Sequence, residues 1–342
     1  MNGLLISIDQ GGSKTEIAVL ASNGELLYRG DDKEFRSLDN CNFESKRWFY
    51  ITSLVQASLA AIGASLDDVE CLLAALCGVD WIDDYSKSKE ILSNKLRITP
   101  EKIIVVNDCT AALRACLPIA FQKQNSAIIY AGTMFNCSVL TESGQSYTYG
   151  RFVNANDQGA YAIGLSVWKS ILDSYNGFQE YTLMESLLLK SQEINSISKL
   201  VEEITTNKRF FRPLTYASVF FQALKEDDKV AFDIFNNFVQ RWVRYVIEGI
   251  HKVGLSHESS ICVYLSGGVF KNCTQLWINA ITEELKYNNL QFSCSLSAYE
   301  PIVGAVIMLL EKKYRRPLNY QIINNVISSP IFQSMKIRIS DE

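Results

Sequence analysis

The chain of 342 residues contains only two histidines, His251 and His257. So few argue against a histidine-built metal site and against a Ser-His-Asp or Cys-His nucleophile. None of its nine cysteines stands in a C-x-x-C pair, so zinc ribbons and thioredoxin-type redox sites are not indicated. Most lie in apolar runs, such as Cys71 and Cys77 in ECLLAALCGV, where a reduced cysteine packs as a small hydrophobe. An odd set of such thiols fits a reducing compartment. Excess basic charge is also missing. With 33 Lys and Arg against 37 Asp and Glu, the net charge is −4, which gives no field to hold nucleic acid. No apolar run approaches the ~20 residues that span a bilayer. The opening MNGLLISIDQ has no basic stretch and no small-residue cleavage site, so no secretory leader is expected. The expectation is a cytoplasmic protein with neither membrane nor nucleic-acid partner.

A hydrophobic content of 48% with 20% charged residues is that of a folded globular chain. At ~150 residues per domain, the length suggests two domains. Residues 4–9 form an apolar run ending in Asp9. Residues 15–21 and 25–30 read as strands joined across Asn23-Gly24, a type I′ hairpin signal. Phe43, Trp48, Ile51, Val55, Leu59 and Ile62 recur at helical spacing over 43–63. A strand at 70–79, a helix at 84–95, a strand at 102–107 and a helix at 109–121 follow, the last capped by Asn107-Asp108. The order then restarts. Strands at 126–130, 136–142 and 146–149 turn at Ser143-Gly144. Helices at 157–175, 181–192, 196–206, 214–224 and 227–253 come next. A strand at 260–265, a helix at 271–287, a strand at 291–296 and a helix at 301–313 complete the repeat. The pattern is one β-β-β-led α/β unit used twice, with helical insertions in the second copy. No low-complexity linker separates the copies, so they should pack closely about a cleft. In the tail, 314–342, MKIRIS reads as an extra strand.

Several segments have the residues for chemistry. In Asp9-Gln10-Gly11-Gly12-Ser13-Lys14-Thr15, a strand delivers a carboxylate and two glycines let the backbone approach a ligand. Such a turn presents several N–H groups to a phosphate, or is simply a tight hairpin. It is not a Walker A loop, because no glycine stands five residues before a Gly-Lys-Ser/Thr and a strand follows. Asp108, at a strand-to-helix junction, is placed either to accept a proton from a hydroxyl or to cap the helix. Gly267-Gly268, between a strand and a helix, suits an anion at the helix start or a plain βα turn.

Taken in order, these segments resemble a known family. The hairpin at 9–15 is similar to the first phosphate loop of the sugar kinase/Hsp70/actin superfamily. VVNDCTAALR (105–114) resembles the catalytic-aspartate segment of N-acetylglucosamine kinases. AIIYAGTMFNCSVL (127–140) resembles the second phosphate loop, NDQGAYAIG (156–164) the G-D-E-G-S segment, and YLSGGVFKN (264–272) the adenosine loop. Pro301 and Gly304-Ala305 match the closing helix. The resemblance covers residues 4–310 and points to the N-acetylglucosamine kinase-like branch, which also holds the ATPases that activate acyl-CoA reductases and dehydratases.

The fold it implies is α/β, with two ribonuclease H-like lobes (the actin-like ATPase fold) flanking a cleft. The amino-terminal lobe is expected at 1–120 and the carboxy-terminal lobe at 121–313, with helix 301–313 packing back on the first lobe and 314–342 left as a tail. The implied activity is ATP-dependent phosphotransfer to an amino sugar such as N-acetylglucosamine or glucosamine, with Asp108 as general base. Asn107, Asp108, Gly132, Asn136 and Asp157 would contact the sugar. Gly11, Gly12, Ser13, Lys14, Thr15, Thr133, Gly267 and Gly268 would contact ATP, Lys14 being otherwise a solvated side chain. Asp9 would organise Mg²⁺ through water. Residues 31–42 would supply a substrate loop, with Asn40 or Asn42 in reach. A homodimer is allowed.

Three departures stand out. Met134-Phe135 replaces the family's Gly-Ser, adding bulk, removing a donor and threatening a steric block by Phe135. Gln158 replaces an acid. Gly150-Arg151-Phe152 replaces a Gly-Trp-Gly run. These motivate an alternative, a catalytically impaired protein of this fold that binds nucleotide or sugar in a regulatory role. A third reading, an iron–sulfur ATPase, requires a cysteine-held cluster. Cys109, Cys116 and Cys137 offer no obvious loop for one.

Overall fold

The computed structural model describes residues 3–33, 43–117, 124–256, 259–288, 291–314 and 318–338. The expected substrate-loop residues beyond Lys33, with Asn40 and Asn42, lie outside them. Five strands build the first sheet: β1 (Leu4–Gln10), β2 (Thr15–Leu20), β3 (Leu26–Asp31), β4 (Val69–Leu76) and β5 (Ile103–Asn107). Five build the second: β6 (Ser126–Ala131), β7 (Phe135–Leu140), β8 (Ser146–Thr148), β9 (Ile261–Ser266) and β10 (Phe292–Leu296). The spatial orders are β3-β2-β1-β4-β5 and β10-β9-β6-β7-β8, which are the same order read from opposite edges. In each, the first three strands are antiparallel, and the last two run parallel to the first. The repeated element order of the sequence is therefore a repeated sheet.

Both opening hairpins turn the same way. Gly24 N donates to Ala21 O at 3.0 Å and Ala21 N to Glu25 O at 2.8 Å, with Gly24 at φ +90°. Gly144 N donates to Thr141 O at 2.9 Å and Thr141 N to Gln145 O at 2.8 Å, with Gly144 at φ +91°. The expected type I′ turn at Asn23-Gly24 needs positive φ at both residues, and only Gly24 has it. The loop is instead a three-residue turn whose glycine takes the left-handed position.

The first sheet is buried on both faces, as its near-continuous apolar strands require. Along β1, Leu4, Ile6 and Ile8 face a core shared with α1 (Phe43–Ala61) and α2 (Ile82–Leu96). Leu5 faces the other way, onto α3 (Asp108–Cys116) and α10 (Pro301–Tyr314). Helix α3 bridges the halves, with Cys109, Ala112 and Leu113 packed on Ile128 of β6. The second lobe carries α4 (Ala160–Tyr175), α5 (Leu183–Ser191), α6 (Ile197–Thr205), α7 (Pro213–Lys225), α8 (Lys229–Lys252) and α9 (Thr274–Tyr287). Its aromatic core centres on Trp242, stacked 5.2 Å from Trp277.

The tail departs from expectation. It forms α11 (Tyr320–Ser328) and α12 (Pro330–Gln333), and Lys336 makes one isolated bridge to Tyr299 in place of the expected strand. Leu318, Ile322, Val326, Phe332 and Met335 are buried beside Leu5, Leu20 and Leu26. Of the segment read as a strand, Met335 joins these residues in covering the first sheet. Among the described residues, no helix is long and apolar enough to cross a membrane.

Candidate functional site

Two cavities, of about 460 and 500 Å³, adjoin between the sheets and share Gly11, Gly12, Tyr130, Gly132 and Thr133 as walls. The first is bounded by Asp9, Ser13, Lys14, Gly267 and Gly268. The second contains Asp108, Asp80, Asn136 and Gln158. Strand ends position these groups. Asp9 comes near the end of β1, and Asp108 opens α3 directly after β5.

The glycine loops meet across the two halves. Gly11 N donates to Lys14 O at 2.9 Å, closing the first turn. The Ser13 and Thr133 hydroxyls are hydrogen-bonded, and a Cβ on Gly12 would lie 3.3 Å from that of Thr133. Gly132 O accepts from Ala160 N at 2.8 Å and Thr133 O from Tyr161 N at 3.1 Å, seating the second loop on the start of α4. Gly267, at φ +107°, brings the end of β9 so close to Ala131 O that a side chain would overlap it.

Phe135 borders the second cavity with its side chain buried. Strand alternation turns it inward with Cys137 and Val139, and its ring stacks on Trp242 at 5.2 Å and 10°. The expected steric block is not what the packing shows, since the ring belongs to the core and is 3% exposed. Its backbone N–H donates to Gln158 Oε1 at 3.0 Å, so Gln158 holds the loop. Met134, half exposed, stays on the cavity wall.

Three expected ligand residues have other partners. Asp157 accepts from Arg241 at 3.0 and 2.6 Å and from the Tyr245 hydroxyl at 2.8 Å. Buried against α8, it lies outside both cavity linings. The Asn107 carboxamide accepts from Cys109 N at 2.9 Å and donates to Val79 O and Asp80 Oδ1 at 3.1 and 3.0 Å. It caps α3 and ties β5 to the loop after β4 instead of lining a cavity. Thr15 is buried, its N–H donating to Asp32 Oδ1 at 3.0 Å. By contrast, Asn136 lines the second cavity while its Oδ1 accepts from Cys137 N and Gly150 N, both at 2.9 Å. Lys14 Nζ pairs with Glu16 Oε2 at 3.0 Å.

Burial raises the Asp108 carboxyl to about 7, against the opposing pull of the Cys109 N–H on its Oδ1. It therefore sits near the point where a carboxyl can take or give a proton at neutral pH. Burial also raises Asp9, helped by the negative charges of Glu16 and Asp108. Burial pushes the Cys77 thiol, in the same cavity, up to about 12, leaving it an inert wall. Asp9 Oδ1 is buried without a hydrogen-bond partner. Among the described residues, no group of three or more His, Cys, Asp or Glu is arranged to hold a metal. One under-bonded carboxylate beside backbone loops fits a hydrated Mg²⁺ shared with phosphates better than a protein cage. Sequence reasoning gave no site role to Asp80, Arg151, Tyr130 and Glu300, which also line the cavities. Asp80 had a signal, since it lies just past the end of β4, as Asp108 does past β5.

Two related sheets with ligand-sized cavities at their strand ends define an architecture that other solved proteins share. Searched by sequence, the chain matches no family model and no curated protein. By structure it is similar to a candidate N-acetylglucosamine kinase from Chromobacterium violaceum, at TM-score 0.63 and 15% identity over 90% of this chain and 98% of that one. This is the actin-like ATPase fold. A ROK family glucokinase from Streptomyces griseus, solved with glucose and AMPPNP, has the fold at TM-score 0.55 and 14% identity over 89% and 97% of the two chains. A ROK family transcriptional regulator, a homologue of the Escherichia coli MLC protein, matches at TM-score 0.52 and 15% identity over 96% and 82%. The actin-like ATPase fold thus carries both sugar kinases and a regulator.

Proposed function

We propose that the chain is an ATP-dependent kinase for an amino sugar such as N-acetylglucosamine or glucosamine. One observation carries the reading. A buried carboxyl near neutrality, Asp108, stands in one cavity, and glycine-rich loops from both halves separate it from the next. The sugar occupies the Asp108 cavity, bordered by Gly132 and Asn136. ATP occupies the other, with its phosphates against Gly11, Gly12, Ser13 and Thr133 and its adenosine at Gly267 and Gly268.

A sugar hydroxyl oxygen attacks the terminal phosphorus, its proton passes to the Asp108 carboxylate, and the bond to ADP breaks. Base assistance of this type is worth roughly 10²–10⁴ in rate. Backbone N–H groups of the loops and Lys14 offset charge on the transferring group. Asp9 would hold Mg²⁺ through water, and the ion would supply further charge neutralisation. Closure of the halves keeps water from competing for the phosphoryl group.

The second reading, a regulator that binds nucleotide or sugar without transfer, is favoured by Met134, which stands exposed on the wall where the resemblance expects glycine. The test is coupled ADP release with a panel of amino sugars, beside calorimetry with ATP-Mg²⁺. Sugar-dependent turnover supports the kinase. Nucleotide binding without turnover on any sugar supports the regulator.

A further inference from the structure

The Gly150-Arg151-Phe152 turn is where the sequence departs from a Gly-Trp-Gly run, and Arg151 and Phe152 reach the opposite lobe. Arg151 Nη2 donates to Gly78 O at 3.1 Å and to Asp84 Oδ2 at 3.4 Å. Its Nε lies 3.6 Å from Asp80 Oδ2. Beside it, the Phe152 and Trp81 rings meet edge to face at 5.3 Å. Gly150, at φ +52°, passes so close to the Asp80 carboxylate that any Cβ would overlap it. Gly78, Asp80, Gly150 and Arg151 all line the cavity that holds Asp108.

These contacts form a continuous rim. On the first lobe, Asn107 anchors Asp80 and immediately precedes Asp108. On the second, Asn136 accepts from Gly150 N. Arg151 closes the gap between them. Its side chain is 54% exposed, so solvent screens the ion pair and keeps it weak enough to open.

Resting on the reading of this cavity as the sugar site, we propose that Arg151, with Phe152, is a cross-lobe latch that holds the sugar cavity shut and positions a sugar hydroxyl against Asp108. Arg151 is then a positioning residue that acts through the 78–84 segment.

The experiment compares wild type, Arg151→Ala and Arg151→Lys by amide hydrogen exchange and by kinetics. In Arg151→Ala, exchange over residues 78–84 and 150–153 should rise roughly five-fold while the sheets stay protected. The KM for sugar should rise about ten-fold, with more ATP hydrolysed per sugar phosphorylated and no change in ATP-Mg²⁺ affinity. Arg151→Lys, which keeps the charge without the planar fork, should recover part of the loss. Unchanged exchange at 78–84, or an unchanged sugar KM in a variant whose exchange has risen, overturns the latch. If wild type phosphorylates no sugar, the kinase reading fails by that result, and exchange alone decides the latch.

Discussion

Replacing Asp108 with asparagine should inactivate the protein and make it more stable at alkaline pH. Burial moves this carboxyl from 3.8 to about 7. Three units at ~1.4 kcal/mol each put the penalty on the ionised form near 4 kcal/mol. Between pH 4 and 7 the folded state keeps a proton that the unfolded chain has released. Wild-type stability therefore falls as pH rises through that window and is flat above it. Asparagine is neutral throughout, and its carbonyl retains the bond from Cys109 N, now 2.9 Å from Asp108 Oδ1. The variant should exceed wild type by about 4 kcal/mol at pH 8, by less than about 2 at pH 5, and by nothing below pH 4. Urea unfolding at the three pH values measures the gap. Turnover should fall by roughly 10²–10⁴. In wild type it should rise through pH 7, where Asp108 becomes a competent base. A stability gap independent of pH, or undiminished turnover, would refute the account.

Restoring the family serine with Phe135→Ser should cost about 3–5 kcal/mol, because the ring is stacked on Trp242 in the core, and should give no gain in turnover. Asp157→Ala should lower the melting temperature by stranding Arg241 and Tyr245, yet leave the sugar KM within about two-fold, since its carboxylate faces α8. Gly304→Ala should destabilise by at least 1–3 kcal/mol and slow turnover as well. A Cβ there would overlap Ala111 O and push apart α10 and α3, whose first residue is Asp108. Differential scanning calorimetry and steady-state assays decide all three.

The doubled sheet was legible because each half opens with short strands broken at glycine, and Gly24 and Gly144 prove to be equivalent turn residues. The glycine loops and Asp108 were legible for a related reason, since their position at strand ends follows from chain order alone. The fate of Asp157 was not, because its partner Arg241 lies 84 residues away on a helix whose rotation the sequence does not specify. Phe135 looked intrusive as a residue type, although the alternation of its own strand placed it inward. MKIRIS has strand-like periodicity, but neither described sheet takes it up as a strand. Arg151 was noticed only as a missing tryptophan, since Asp84, 67 positions earlier, reveals itself only in three dimensions.

The tail has a consequence for how the protein is made. Leu5, Leu20 and Leu26 emerge from the ribosome early, yet Ile302, Leu309, Ile322 and Phe332 complete their burial. A nascent first half therefore waits, partly greasy, for residues 302–335 to be made. The order of translation thus runs against the order of assembly, and a premature stop near residue 300 would leave the amino-terminal half, not the carboxy-terminal one, exposed to chaperones and proteases.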